Sequence, residues 1–198
     1  MTSALLKQKQ GPASSFDALH TRVYELIRTK SFIRKPVTLS SGKKSDHYFD
    51  MKFSMLDPFG AKALAELVLA KLPNTKIDFV GGLELGAVPL ISPIALMSAE
   101  QGRPIPGLIV RKTAKSHGTQ RLVEGAEHLK GANVVVVDDV TTTGESALKS
   151  IRALREEGAN VILVISIVDR EEGAADLYRR EGIPFDPLFR ASEFLSAS

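Results

Sequence analysis

The chain has 198 residues, 43% hydrophobic and 25% charged, with 26 Lys and Arg against 23 Asp and Glu. Such a length accommodates one sizeable α/β domain, and the composition argues against disordered and membrane classes. A net charge of +3 is too small to imply a nucleic-acid partner, so any basic surface must be local. The absence of cysteine excludes disulfides and thiolate metal sites and fits a cytoplasmic protein. His20, His47, His117 and His128 stand at no metal-ligand spacing. The longest apolar stretch, Val161 to Val168, is too short to span a bilayer, and MTSALLKQKQ lacks the apolar core of a secretory signal. Neither secretion nor a membrane partner is expected.

Residues 1 to 13 are polar and aperiodic and read as a peripheral arm. A helix is expected from about Ser14, with Asp17 as its capping partner and Phe16, Leu19, Val23, Leu26 and Ile27 on one apolar face. Thr38 to Lys52 alternates enough to predict a strand and turn. Asp57 and Pro58 open a second helix, with Leu64, Leu67, Val68 and Leu72 inward and Pro73 as its stop. Strands at Asp78 to Gly82, Gly107 to Val110, Val134 to Val137 and Val161 to Val168 then alternate with helices around Pro93 to Glu100 and after Gly144. This order predicts an α/β fold with a mostly parallel, doubly wound sheet flanked by helices. Gly158 and Gly182 follow helical runs and read as C-caps.

The most informative segment is VVVVDDVTTTGES, Val134 to Ser146. Four consecutive valines read as a strand buried on both faces, ending in Asp138 and Asp139 at the carboxyl edge, where open α/β sheets bind ligands. Thr141, Thr142, Thr143 and Gly144 follow, rich in hydroxyl and amide donors, and open a helix with Ala147, Leu148, Ile151 and Leu154 on one face. Such a turn at a helix N-terminus is a phosphate cradle. Carboxylates repel phosphate, so their presence beside the cradle points to a sugar phosphate. The threonine loop would hold the phosphate, while Asp138 and Asp139 accept hydrogen bonds from vicinal ribose hydroxyls and stabilise a cationic ribosyl centre. The spacing matches neither a Walker A loop nor the Gly-x-Gly-x-x-Gly of dinucleotide folds.

This segment resembles the phosphoribosyl pyrophosphate (PRPP) signature of the type I phosphoribosyltransferases. A second segment, RKTAKSHGTQRLVEGA from Arg111 to Ala126, lies on a long connection and puts Arg111, Lys112, Lys115 and His117 within seven residues, a cluster suited to gripping pyrophosphate. It narrows the resemblance to the orotate phosphoribosyltransferase family. The resemblance implies a small N-terminal hood and one phosphoribosyltransferase domain over 1–198: about 1–55 arm, helix and hood, about 56–175 PRPP-binding core, then C-terminal elements.

It also implies PRPP contacts from Arg111, Lys112, Lys115, His117, Asp138, Asp139, Val140, Thr141, Thr142, Thr143, Gly144, Glu145, Ser146 and Glu84. Tyr48, Phe49, Thr142 and Arg170 are assigned to orotate, Arg170 as the fork for its carboxylate. Lys115, His117, Asp138 and Asp139 are the implied catalytic groups. Gly81, Gly82 and Gly86 bracket a turn that is either a second phosphate contact or a plain strand-to-helix bend, and the family's non-proline cis peptide maps to Leu83 and Glu84. The sequence departs from the enterobacterial pattern at Ser40 and Leu85, each standing where that pattern has lysine. Lys43, Lys44 or Lys112 would have to compensate.

The implied reaction is reversible transfer of the 5-phosphoribosyl group from PRPP to orotate. Mg²⁺ is the implied cofactor, held mainly through PRPP without a dedicated protein cage, and Arg111 to Ala126 is the implied lid. A homodimer with shared active sites is the implied assembly. Two alternatives stay open from sequence: a purine-base phosphoribosyltransferase and a non-catalytic PRPP-sensing regulator.

Overall fold

The computed structural model describes residues 15–38, 44–113 and 121–196. The chain begins with helix α1 (Ser15–Lys30) and an antiparallel hairpin, β1 (Phe32–Thr38) and β2 (Lys44–Phe49). A one-turn helix α2 (Lys52–Met55) leads into α3 (Pro58–Lys71), whose N-cap Asp57 accepts hydrogen bonds from Phe59 N at 3.1 Å and Gly60 N at 2.9 Å. The Asp-Pro start is therefore as expected. The hairpin's first strand and α2 carry too short a periodic signal to be predicted, and Ser14, the expected cap of α1, lies outside the described residues.

The remaining elements build one sheet: β3 (Phe79–Leu83), α4 (Val88–Glu100), β4 (Gly107–Val110), β5 (Val123–Glu124), β6 (Asn133–Thr141), α5 (Glu145–Glu156), β7 (Asn160–Asp169), α6 (Ala174–Arg180), β8 (Phe189–Arg190) and α7 (Ala191–Ser196). Strand order is β5-β4-β3-β6-β7-β8, all parallel except β5 against β4. From β3 the chain winds outward to β4, then returns to place β6 on β3's other side. The crevice between the carboxyl ends of β3 and β6 is thus the topological switch point. Helix α4 starts five residues before the expected Pro93, which sits inside it. Pro89 near its N-terminus supplies the start signal.

The sheet has a core on each face. Val135 and Val137 of β6 enter one core, with Leu64, Leu67 and Val68 of α3 and Leu90, Ile91 and Ile94 of α4. Val134 and Val136 enter the other, with Ile151 and Leu154 of α5 and Tyr178 of α6. Burial on both faces explains the unbroken valine run. Among the described residues no helix is long and apolar enough to cross a membrane.

The hairpin rests over the carboxyl edge of the sheet on an aromatic cluster. Phe194 of α7 is its keystone, with ring centroids 4.6 Å from Tyr24, 5.3 Å from Phe49 and 5.8 Å from both Phe32 and Phe189. Arg34 Nη2 donates to Leu195 O at 2.8 Å, and the buried hydroxyls of Ser31 and Ser54 meet at 2.6 Å. Phe194→Ala should cost about 3–5 kcal/mol, as for other buried aromatics. The urea midpoint should fall, and amide exchange should rise first in the hairpin. A midpoint unchanged from wild type would refute the keystone role.

Candidate active site

A cleft of about 940 Å³ opens between the hairpin and the carboxyl edge of the sheet. One wall is the segment Asp138 to Ser146, the opposite wall carries Tyr48 and Phe49, and Arg170 lies at the end of β7. Twelve of the expected residues therefore share one cleft: Tyr48, Phe49, Asp138, Asp139, Val140, Thr141, Thr142, Thr143, Gly144, Glu145, Ser146 and Arg170. Phe49 is 3% exposed and belongs mainly to the aromatic cluster, whereas Tyr48 is 36% exposed. Side chains alternate along a strand, so the pair diverges rather than forming one aromatic wall.

The acidic pair corrects an expectation. The strand does not end at Val137. Its ladder with β7 continues through Asp138 opposite Ser166, Val140 opposite Val168 and Thr141 opposite Asp169. Asp138 and Asp139 therefore sit within the strand on opposite faces of the sheet. Asp138 turns toward the α5 side and accepts a hydrogen bond from Thr141 Oγ1 at 3.2 Å. Asp139 turns toward the bend after β3, where its Oδ1 lies 2.6 Å from the place a Cβ on Gly86 would occupy. A side chain at 86 would displace the carboxylate.

Burial raises the pKa of Asp138 to about 7, and the charge of Asp139 pushes the same way. Burial also raises Asp139, opposed by the Val140 amide and, more weakly, by Lys52. The two carboxylates thus differ in setting, the inner one divided between its neutral and ionised forms near pH 7.

Gly144 forms the corner from cradle to helix, with φ of 88°, a conformation that favours glycine. Tyr178 of α6 is buried beneath it, and its hydroxyl donates to Gly144 O at 3.2 Å. Its ring meets Phe185 edge-on at 5.0 Å. Arg170 is 7% exposed, with Nε donating to Glu172 Oε1 at 2.8 Å and Nη2 to Ser45 Oγ at 3.1 Å. These bonds fix its guanidinium and tie the hairpin to β7.

Glu84, Arg111 and Lys112 gather instead at the ends of β3 and β4. Glu84 Oε1 accepts from Lys112 N at 2.9 Å, and Arg111 Nη1 lies 3.5 Å from Glu124 Oε1. The cis peptide joins Glu84 and Leu85, one residue later than expected. Glu84 N still donates to Val110 O at 2.8 Å, so the bend opens after Glu84 rather than before it. Ser40, Lys43, Lys115 and His117 lie outside the described residues.

Sequence reasoning missed Asp50, Lys52 and Tyr178. Continuing the alternation from Tyr48 would have put Asp50 on its face, whereas Lys52 stands on α2, beyond the strand, and no periodic signal marks it. Nothing in the sequence marks Tyr178. Among the described residues no group of three or more His, Cys, Asp or Glu side chains converges as a metal site.

A mostly parallel sheet with a cleft over its carboxyl edge, acids within the strand and a donor-rich corner after it, is the arrangement of the type I phosphoribosyltransferases. The family model described as "Phosphoribosyl transferase domain" matches residues 58–181. The chain is 51% identical over 186 residues to the orotate phosphoribosyltransferase of Bradyrhizobium diazoefficiens, covering 92% of this chain and all of the relative. Two solved structures of Mycobacterium tuberculosis orotate phosphoribosyltransferase are similar at 89% coverage of this chain and 98% of theirs. The Fe(III) dicitrate complex has TM-score 0.78 and 36% identity, and the PRPP complex 0.74 and 32%. The chain belongs to the orotate phosphoribosyltransferase family.

The setting of Asp138 makes stability depend on pH. In the unfolded chain its carboxyl loses its proton near the ordinary value of about 3.9, and in the folded chain only at about 7. Between those values the folded state holds the extra proton, so stability falls as pH rises through that window and is level above it. Asp138→Asn should remove this slope and gain on wild type by a few kcal/mol in denaturant melts taken from pH 4 to pH 8. Parallel curves for the two proteins would show that the carboxyl is not held protonated.

Proposed function

We infer that the chain transfers the 5-phosphoribosyl group of PRPP to orotate, giving orotidine 5'-monophosphate and pyrophosphate. The observation that carries this reading is the convergence of the Asp138–Ser146 segment and the fixed Arg170 guanidinium on one cleft. The cradle Thr141 to Ser146 holds the 5-phosphate through hydroxyls, backbone amides and the α5 N-terminus. Asp139, and Asp138 when ionised, accept from ribose hydroxyls and stabilise the positive charge that develops at C1 as pyrophosphate departs. Arg170 receives the orotate carboxylate, with Tyr48 beside the ring. A purine base has no carboxylate for Arg170, and the similarity to enzymes named for orotate also favours this reading.

Mg²⁺ suits this site as an ion carried in by PRPP. The described acids diverge rather than forming a cage, while the pyrophosphate and ribose oxygens would supply its ligands. Bound there, it would neutralise the leaving group. Lys115 and His117 are assigned to the same departing charge on the strength of their sequence pattern. The lid is assigned to the connection between β4 and β5, shorter than the expected Arg111 to Ala126 because Val123–Glu124 pairs with β4 in the sheet and Val123 is buried. We read 1–198 as one phosphoribosyltransferase unit, with the hairpin as its hood.

The proposed assembly is a homodimer. Phe53, Leu56, Phe59, Leu85 and Leu96 are each 60% exposed or more and lie on α2, α3, α4, the α2–α3 turn and the β3–α4 turn. So large an apolar set calls for a partner, and a second copy supplies a self-complementary one. Sedimentation should give twice the chain mass, and Leu56→Glu with Phe59→Glu should return it to a monomer. A monomeric wild type would refute the dimer.

Following ultraviolet loss of orotate with PRPP and Mg²⁺ tests the reaction, and absence of turnover would refute it. In the same assay Arg170→Ala should raise the orotate KM by about tenfold to a hundredfold, the loss of a charge-assisted fork, with less effect on PRPP. Unaltered orotate kinetics would remove Arg170 from the base site.

A further inference from the structure

Every substrate in the proposed reaction is an anion, yet the described residues lining the cleft carry Asp50, Asp138, Asp139 and Glu145 against Lys35, Lys52 and Arg170. Arg170 gives two of its five donors to Glu172 and Ser45, and the rest are assigned to the orotate carboxylate. The turn after β3, against which Asp139 packs, runs Glu84, Leu85, Gly86, Ala87 and has no cation of its own. An anion approaching the Asp139 side meets repulsion unless a cation stands near.

Lys52 is such a cation. It opens α2, its Nζ lies 2.6 Å from Asp50 Oδ1, and its side chain is 56% exposed toward the cleft it lines. The Asp50 hydrogen bond holds its charge firmly, and the negative field of Asp139 reaches it. Asp50 also accepts from Lys52 N at 3.3 Å, so the ammonium is directed by a residue two positions away. An ammonium has three donors, so Lys52 can keep Asp50 and still bind a phosphate oxygen.

Resting on the orotate phosphoribosyltransferase reading, we propose that Lys52 binds the pyrophosphate half of PRPP, supplying on the Asp139 side the positive charge that the Leu85 turn lacks. Asp50 is its positioning residue. The role belongs to binding in both directions of the reaction, because pyrophosphate is leaving group in one and substrate in the other.

The test compares Lys52→Met and Lys52→Arg with wild type in steady-state assays of both directions, with thermal melts as a folding control. Lys52→Met should raise KM for PRPP and for pyrophosphate by about tenfold or more, the loss of one hydrogen bond to a charged group. KM for orotate should stay within about twofold, and Lys52→Arg should recover most of the loss, because charge rather than shape is required. PRPP and pyrophosphate constants indistinguishable from wild type would overturn the proposal, as would an orotate KM rising in step with them. If Lys52→Met does not fold, Lys52→Gln carries the same expectations. A wild type that never consumes orotate refutes the reaction itself, whereas a working wild type beside an indifferent Lys52 variant refutes only the role of Lys52.

Discussion

The parallel ladder between β6 and β7 is the constraint on which the site depends. Because it keeps one register from Val135 to Thr141 and Asp169, after a single irregularity between Val134 and Val135, the last residues of β6 obey strand alternation in a region that also faces solvent. That alternation sends Asp138 into a dry layer beside α5 and Asp139 toward the β3 bend. Adjacent residues of one chemical type thereby acquire different settings, one beside Thr141 Oγ1 and the other beside the Val140 amide and Lys52. The cradle then begins where the ladder stops, since the Arg170 amide still bonds Thr141 O at 2.8 Å. Backbone pairing, rather than side-chain contact, sets the distance between acids and cradle.

The second requirement is a roof. The hairpin has little core of its own and is carried by aromatic rings from α1, α7 and β8. The C-terminal helix therefore shapes the cleft although none of its residues lines it. Arg170 joins roof to floor through Ser45, so a residue suited to reading the base is also a structural strut. Two duties on one guanidinium make its geometry rigid before any ligand arrives.

Much of this was legible in the sequence, for identifiable reasons. Long apolar runs and the Asp57-Pro58 start gave strands and helices their correct type, and the Val134 to Ser146 pattern located the cradle. Strand ends were less legible. Asp138 and Asp139 look like the end of a strand because charged residues usually are, and only pairing with β7 reveals otherwise. The hairpin strand β1 contains Arg34, Lys35 and Pro36, a poor strand signal overridden by aromatic packing from distant parts of the chain. The diverging aromatics Tyr48 and Phe49 follow from strand parity and could have been read; Lys52 could not, since it stands on α2 after the strand has ended. Tyr178 could not, since its role depends on where α6 docks.

That docking has a consequence for how the protein can change. The loop proposed to meet the phosphate is propped from below by a phenol belonging to an element that does not line the cleft. Helix α6 stays in place through the hydrophobic layer around Tyr178, Phe185 and Ile183. Variation in the volume of that layer will be transmitted to the loop as a shift in the Gly144 carbonyl. On the proposed function, affinity for the phosphorylated sugar can therefore drift through silent-looking exchanges of greasy side chains, and searches for altered enzymes confined to the visible pocket would overlook them.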